Sequence, residues 1–247
     1  MKYLIVILSA ILFSQNCYPQ KLKTQKKITQ LFKEIYQVDK KSKLKNGFYY
    51  KLSNSTKDTL VVGQYLNNEK SGIWKYQGMF KAKYFDYNYD TNTILEIYDN
   101  ELKLDSAYVF KGSKFELDVV DHPQIYLGHK EEAQAYLART IKLPNEIAKN
   151  GIQGRSAASF VIDSKGKLIN PKIEFSLHKD MDETIIDLLT NMKGTWIPAL
   201  KDGVNVASKI ILIVDVGENG MGEVKKTSYI WQLRVMYYGT TVRRRKL

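Results

Sequence analysis

The side chains that could support acid–base, metal or nucleophilic chemistry are few and scattered along this sequence. The histidines are His122, His129 and His178, with no pair four residues apart and no cysteine beside them, so no metal site is predicted. The sole cysteine, Cys17, lies near the amino terminus, away from any predicted catalytic partner. Neither a Gly-x-Ser-x-Gly motif nor a phosphate-binding glycine loop is present. We therefore expect no catalytic residue, no metal and no cofactor.

Two pairs of adjacent acids also bear on catalysis. Glu131–Glu132 and Asp182–Glu183 each fall near the start of a predicted helix, where carboxylates interact favourably with the positive end of the helix dipole. Helix starts are a commoner cause of paired acids than general acid–base catalysis. We expect a non-enzymatic protein, and an enzyme is the least favoured class.

Length and composition indicate a globular protein of two modules. The chain has 247 residues, of which 44% are hydrophobic, and a formal net charge of +12. Such a charge fits nucleic acid, an anionic membrane or a lysine-rich solvated surface.

The amino terminus indicates export. Residues 1–20 have a basic start, an apolar run over 3–13 and a polar end, which is the layout of a secretory signal peptide. A helix over 4–13 would be about 15 Å long, half of the roughly 30 Å hydrocarbon core, so it is not a transmembrane anchor. We expect an exported protein that is periplasmic, either free or associated with a membrane, and that does not bind nucleic acid. Cys17 is either lipidated or removed with the signal, and 14–16 lack the small residue that lipidation favours.

Residues 21–45 predict a basic amphipathic helix. Their apolar side chains at helical spacing are Ile28, Leu31, Phe32, Ile35 and Tyr36. The helix would either rest weakly on an anionic membrane surface or dock on the domain behind it, and the second interpretation is preferred.

Residues 46–120 predict a tyrosine-rich antiparallel β module. Residues 63–76 (GQYLNNEKSGIWKY) resemble a MORN-like repeat, a weak similarity that extends over 46–100, and 83–98 predict a further hairpin. The exposed rings of such a sheet either bind glycans or peptides or, as we prefer, form the core of a thin sheet.

The segment 121–217 has the clearest succession of elements. The pattern predicts a helix over Pro144–Asn150, a strand over Gly154–Ile162, a tight turn at Asp163–Gly166, an edge strand over Leu168–Phe175, a helix over Asp180–Lys193 and a long strand over Val204–Val216. After a glycine-rich break, 229–241 are strand-like and 243–246 form a basic tail, all within 218–247.

This order resembles the TonB carboxy-terminal domain family over residues 130–217. The residues that carry the resemblance are Pro144, Gly151, Gly154, Asp163, Gly166, Trp196, Pro198 and Gly203. The resemblance implies an α+β domain with a three-stranded antiparallel sheet and two helices.

The resemblance also implies a binding site on the last strand. In the family this strand is a sheet edge that recruits an extended peptide from an outer-membrane receptor. The corresponding residues are Lys209, Ile210, Ile211, Leu212, Ile213, Val214, Asp215 and Val216. The centre of this strand is apolar on both faces, so 229–241, the tyrosine-rich module or a partner must cover it.

Two functions follow as expectations. The first is a TonB-like periplasmic protein that binds an envelope protein, such as a TonB-dependent outer-membrane receptor, by strand addition. The second is an envelope scaffold whose TonB-like domain no longer binds a receptor. With no membrane-length helix and 5 prolines, too few for a stiff spacer, the chain is expected to recognise a partner but not to transmit force.

Overall fold

A computed structural model describes residues 21–78, 83–98, 106–127, 136–138, 140–192, 194–217, 224 and 227–236. Over these residues the fold is α+β and rich in sheet, with mostly antiparallel strands and few helices. The predicted signal segment 1–20 with Cys17, most of the glycine-rich break and the basic residues 243–246 lie outside the described residues.

The first sheet is a meander in which each strand pairs with the next along the chain. Its seven strands are β1 (Leu22–Ile28), β2 (Phe32–Asp39), β3 (Lys45–Ser53), β4 (Thr59–Leu66), β5 (Glu69–Gln77), β6 (Lys83–Asn88) and β7 (Thr93–Ile97). The hairpin predicted over 83–98 is therefore present as β6 and β7.

The helix predicted over 21–45 is wrong, because this segment forms the β1–β2 hairpin. The apolar residues that suggested a helix fall in different elements: Ile28 ends β1 and Phe32 opens β2. Thr29 closes the turn between them, its backbone N–H donating to the Phe32 carbonyl at 2.8 Å. The outermost strand, β1, is lysine-rich and exposed, as is common for sheet edges. The predicted weak contact with a membrane depended on an amphipathic helix, and this segment does not form one.

Aromatic side chains form the core of the first sheet. Trp74 is 1% exposed and Tyr76 3%, as expected if these rings are structural rather than a binding surface. Trp74 stacks on Tyr49 at 5.2 Å and its indole N–H donates to the Gln64 carbonyl at 3.1 Å. A Cβ at Gly63 would overlap the indole, so glycine is required there. The resemblance to MORN-like repeats stays a prediction.

Several lysines lie over aromatic rings of the first sheet. The Nζ of Lys70 lies 4.5 Å from the ring centre of Trp74 and donates to the Tyr89 hydroxyl at 2.9 Å. Lys45 lies 4.8 Å from Tyr36 and 4.7 Å from Tyr65. Part of the positive charge therefore stabilises the sheet through cation–π contacts.

The second sheet contains the carboxy-terminal half of the chain. Its strands are β8 (Ser106–Lys111), β9 (Lys114–Val119), β11 (Gly154–Ile162), β12 (Leu168–Phe175), β16 (Ser208–Val216) and β17 (Ile230–Val235). Short ladders join β10 (Ile125–Tyr126) to β13 (Trp196–Ile197) and β14 (Ala199–Lys201) to β15 (Val204–Val206). The helices whose bounds are described are α1 (Asn145–Asn150) and α2 (Lys179–Thr190).

This sheet differs from the three strands that the family resemblance implies. The three expected strands are present in the order β12-β11-β16, with β12 at an edge as predicted. However, β8 and β9 fall within the segment 46–120 predicted as the tyrosine-rich module, yet β8 pairs with β16 and β9 pairs with β8. The division placed at 120/121 therefore cuts across the second sheet.

The helix α2 covers one face of the second sheet. Its buried side chains are Met181, Ile185, Leu188 and Leu189, which pack against inward residues of β11 and β16. The helix begins one residue before the predicted Asp180, and it is capped by His178, whose Nδ1 accepts from the Asp180 N–H at 3.3 Å. The short β10–β13 ladder also packs on the first sheet, since Ile125, Leu127 and Ile197 share a core with its aromatic residues.

Candidate functional site: the last strand and its neighbours

The strand β16 carries the predicted binding site. It pairs antiparallel with β11 over nine residues, from Gly154↔Val216 to Ile162↔Ser208. Alternate residues therefore point to the helix-covered face, where Ile210, Leu212 and Val214 are at most 1% exposed. One edge of β16 is fully used within the chain.

The other edge of β16 is also paired. The strand β17 runs parallel to it, with register from Ile211↔Ile230 to Val216↔Val235, and β8 pairs with Ser208 and Lys209. The backbone N–H of Ile211 donates to the Tyr229 carbonyl at 2.9 Å. The prediction that Lys209–Val216 form a free edge is therefore wrong for this structure, because the chain's own strand takes the place expected for a guest.

Apolar packing holds β17 in this position. Trp231 and Leu233 are 8% and 7% exposed and belong to the core that α2 covers. The Trp231 ring lies 5.3 Å from Trp196 and 6.3 Å from Phe160. Trp231 and Leu233 therefore help to bury the apolar residues of β16 on the face that α2 covers.

A polar network ties β17 to the two strands beside it. Arg155 on β11 donates two hydrogen bonds to Asp215 on β16, at 2.6 and 3.1 Å, and Gln232 on β17 donates to the same carboxylate at 2.6 Å. Asp215 is only 3% exposed. Burial by itself raises the pKa of Asp215, but the hydrogen bonds from Arg155 and Gln232 outweigh it and hold the pKa below its usual value.

The face of β16 away from α2 is only partly covered. Ile211 and Ile213 are half-buried there. Lys209 extends over the rings of Tyr108 and Phe115, with Nζ 5.3 and 5.8 Å from their centres. The strands β8 and β9 thus provide the aromatic neighbours of this face.

Comparison with known proteins identifies the domain around this strand. Residues 140–215, under a third of the chain, match the family model described as Gram-negative bacterial TonB protein C-terminal. Residues 140–215 are a TonB carboxy-terminal domain. No curated protein and no solved structure matches the chain. The match indicates a TonB-like protein of the cell envelope.

The family's motif residues occupy turns and caps of the TonB carboxy-terminal domain. Pro144 precedes α1, and Gly151 ends that helix with φ 62°. Asp163 accepts hydrogen bonds from the backbone N–H of Lys165 and Lys167, at 2.9 and 2.8 Å, which closes the β11–β12 turn. These positions shape the hairpin.

The remaining motif residues surround the turns that follow. Gly154 has φ 154° and lies against Leu177, so a Cβ there would come within 2.6 Å of that side chain. A Cβ at Gly166 would overlap the Trp196 carbonyl oxygen. Trp196 and Pro198 are buried on either side of Ile197, and the Gly203 N–H donates to Asp121 at 2.8 Å. These motif residues therefore maintain the turns and the packing of the domain.

Sequence reasoning missed the network of Arg155 and Gln232. The sequence signal for this network is the opposite charge of Arg155 and Asp215, and sequence alone does not show that the two residues lie opposite each other on paired strands.

The histidines considered for chemistry lie apart. His178 caps α2, and Nδ1 of His122 lies 2.9 Å from the Pro123 carbonyl. His129 lies outside the described residues. Among the described residues, no group of three or more His, Cys, Asp or Glu side chains is placed to hold a metal. No helix in the described ranges is long and apolar enough to span a membrane.

Proposed function

We propose that this chain is a non-enzymatic, exported envelope protein that acts as an interaction scaffold, with the docking edge of its TonB carboxy-terminal domain closed by its own β17. The observation that carries the proposal is the pairing of β16 on both sides, by β11 on one and by β17 and β8 on the other. A strand with both edges paired offers no backbone groups for another chain to pair with.

A guest peptide would have to replace more than a ladder of hydrogen bonds. Removing β17 exposes Trp231 and Leu233 and withdraws the Gln232 amide from the buried Asp215. Burial of a large apolar side chain contributes about 1.5–3 kcal/mol, and a hydrogen bond to a charged group about 1.5–3 kcal/mol. A peptide without matching aromatic and amide groups is therefore a poor competitor.

Strand addition is the second candidate, and one feature of β17 favours it. This strand is parallel to β16 and follows a glycine-rich segment rather than a tight hairpin turn, so it joins the sheet as an added strand. A segment of an outer-membrane receptor with a similar pattern of side chains could take its place. The partner in both candidates is an envelope protein.

Site-specific crosslinking separates the two candidates. A photoreactive residue at Ile213, opposite Gln232 in the ladder, should yield an intrachain crosslink to β17 that mass spectrometry locates. The same probe at Phe175, which is 61% exposed on the edge strand β12, controls for unspecific capture. Capture of an extended receptor segment at Ile213 but not at Phe175 would contradict the scaffold and support strand addition.

A further inference from the structure

A cleft of about 710 Å³ lies between the first sheet and the TonB carboxy-terminal domain. One wall is the β6–β7 hairpin, and the other is formed by the β11–β12 turn, β13 and the β14–β15 hairpin. Small-molecule sites in proteins have volumes of about 300–1,000 Å³ and often lie between modules. The cleft is therefore of a size and position suited to a ligand.

Two polar side chains with little exposed surface, Tyr87 and His122, line this cleft. Tyr87 is 7% exposed, and burial raises the pKa of its hydroxyl, which therefore keeps its proton. His122 is 9% exposed, and its Nδ1 lies 2.9 Å from the Pro123 carbonyl. Because a carbonyl only accepts, Nδ1 carries the proton and Nε2 presents a lone pair. Burial lowers the pKa of His122, which keeps the ring neutral.

The other lining residues define the chemistry that a ligand must match. Amides and hydroxyls dominate the rim, with Asn92, Thr93 and Asn205 as examples, and Lys165 adds one positive charge. No aspartate or glutamate is among the described residues that line the cleft. Tyr89 adds a half-buried aromatic ring. This combination suits a neutral or anionic ligand with many hydroxyl groups and an apolar C–H surface.

We propose that this cleft binds an oligosaccharide, with the Tyr87 hydroxyl and the His122 Nε2 as hydrogen-bonding partners of the sugar hydroxyls. An extended peptide fits less well. Of β7, the last strand of the first sheet among the described residues, only Thr93 and Ile94 line the cleft, which is too short a stretch for a ladder. A cationic ligand would require carboxylates, and the described lining residues include none.

The test is a titration of the purified protein with the N-acetylglucosamine tetramer and with tetragalacturonic acid, followed by calorimetry. Tyr87→Phe keeps the buried ring and removes only the hydroxyl, and it should weaken binding about tenfold. The matched control is Tyr50→Phe on β3, which is 39% exposed, does not line the cleft and should bind as the wild type does. Lys165→Gln should weaken only the binding of the anionic sugar.

Two results would overturn the proposal. In the first, neither sugar binds to the wild-type protein at millimolar concentration. In the second, a sugar binds equally well to Tyr87→Phe and to Tyr50→Phe, which would place it outside the cleft. Circular dichroism of both variants excludes unfolding as the cause of any loss.

Discussion

Replacement of Trp231 by alanine tests whether β17 is an integral part of the second sheet. Trp231 is 8% exposed and contacts Trp196 and Phe160, which belong to the same core. Truncating a buried tryptophan to alanine costs about 3–5 kcal/mol, and loss of its aromatic pairs accounts for about 0.5–1.5 kcal/mol of such a loss. We expect the free energy of unfolding to fall by about 3–5 kcal/mol.

Urea denaturation combined with amide hydrogen exchange gives the measurement. The N–H groups of Ile211 and Gly217 donate to the carbonyls of Tyr229 and Val235, at 2.9 and 3.1 Å, so they report directly on the β16–β17 ladder. In the wild type both amides should be strongly protected. In Trp231→Ala their exchange should accelerate more than that of the Leu212 amide in the interior of the same strand.

The matched control is Met236→Ala, one residue beyond β17 and 66% exposed, which should change the stability by no more than about 0.5 kcal/mol. If Trp231→Ala unfolds at the same urea concentration as the wild type, our account of β17 is refuted. Rapid exchange of the Ile211 and Gly217 amides in the wild type would refute it equally, because it would show an edge that is open in solution.

Three further predictions concern charge and backbone geometry. Burial raises the pKa of Asp215, but the hydrogen bonds from Arg155 and Gln232 outweigh it and lower the pKa. Their stabilising contribution should therefore be present above about pH 4, the usual pKa of an aspartate in an unfolded chain, and be lost as the pH falls toward the lowered pKa. Arg155→Met should lower the free energy of unfolding by about 2 kcal/mol at pH 7 and make it depend less on acid pH. Burial raises the pKa of Tyr65 from 10.0 to about 12, so the free energy of unfolding should fall as the pH rises between these values. Tyr65→Phe should reduce that fall, which denaturation from pH 9 to 12 measures. Gly166→Ala should lower the thermal stability more than Gly112→Ala does. Both glycines have a positive φ, +77° and +66°, but only a Cβ at Gly166 would overlap a backbone carbonyl oxygen. Equal losses of stability in thermal unfolding would contradict this.

Local signals predicted the hairpin of the TonB carboxy-terminal domain well. The bounds expected for β12 are those observed, and β11 runs over the predicted Gly154–Ile162. Gly151, which ends α1, and Gly166, in the β11–β12 turn, both take a positive φ. These features depend on residues close together in the chain, where glycine, proline and two-residue alternation act directly on the backbone.

The amino-terminal hairpin was missed because spacing was interpreted without the turn. Ile28, Leu31 and Phe32 have helical spacing, yet Thr29 closes a turn through them and Asn54 donates its N–H to the Leu31 carbonyl at 2.8 Å. That contact joins residues 23 positions apart in the sequence. A short apolar pattern with lysines between fits an exposed edge hairpin as well as a helix, and pairing with β3 decides between them.

The sequence by itself determined the alternation of β16, with Ile210, Leu212 and Val214 on one face, and hence that both faces of its centre are apolar. Only the tertiary structure decided that β17 lies along its second edge, that Gln232 reaches Asp215, and that a cleft forms beside Tyr87 and His122. The physical reason is that alternation fixes the face to which a side chain points. Which strand completes the backbone hydrogen bonds of an edge depends instead on the course of the whole chain.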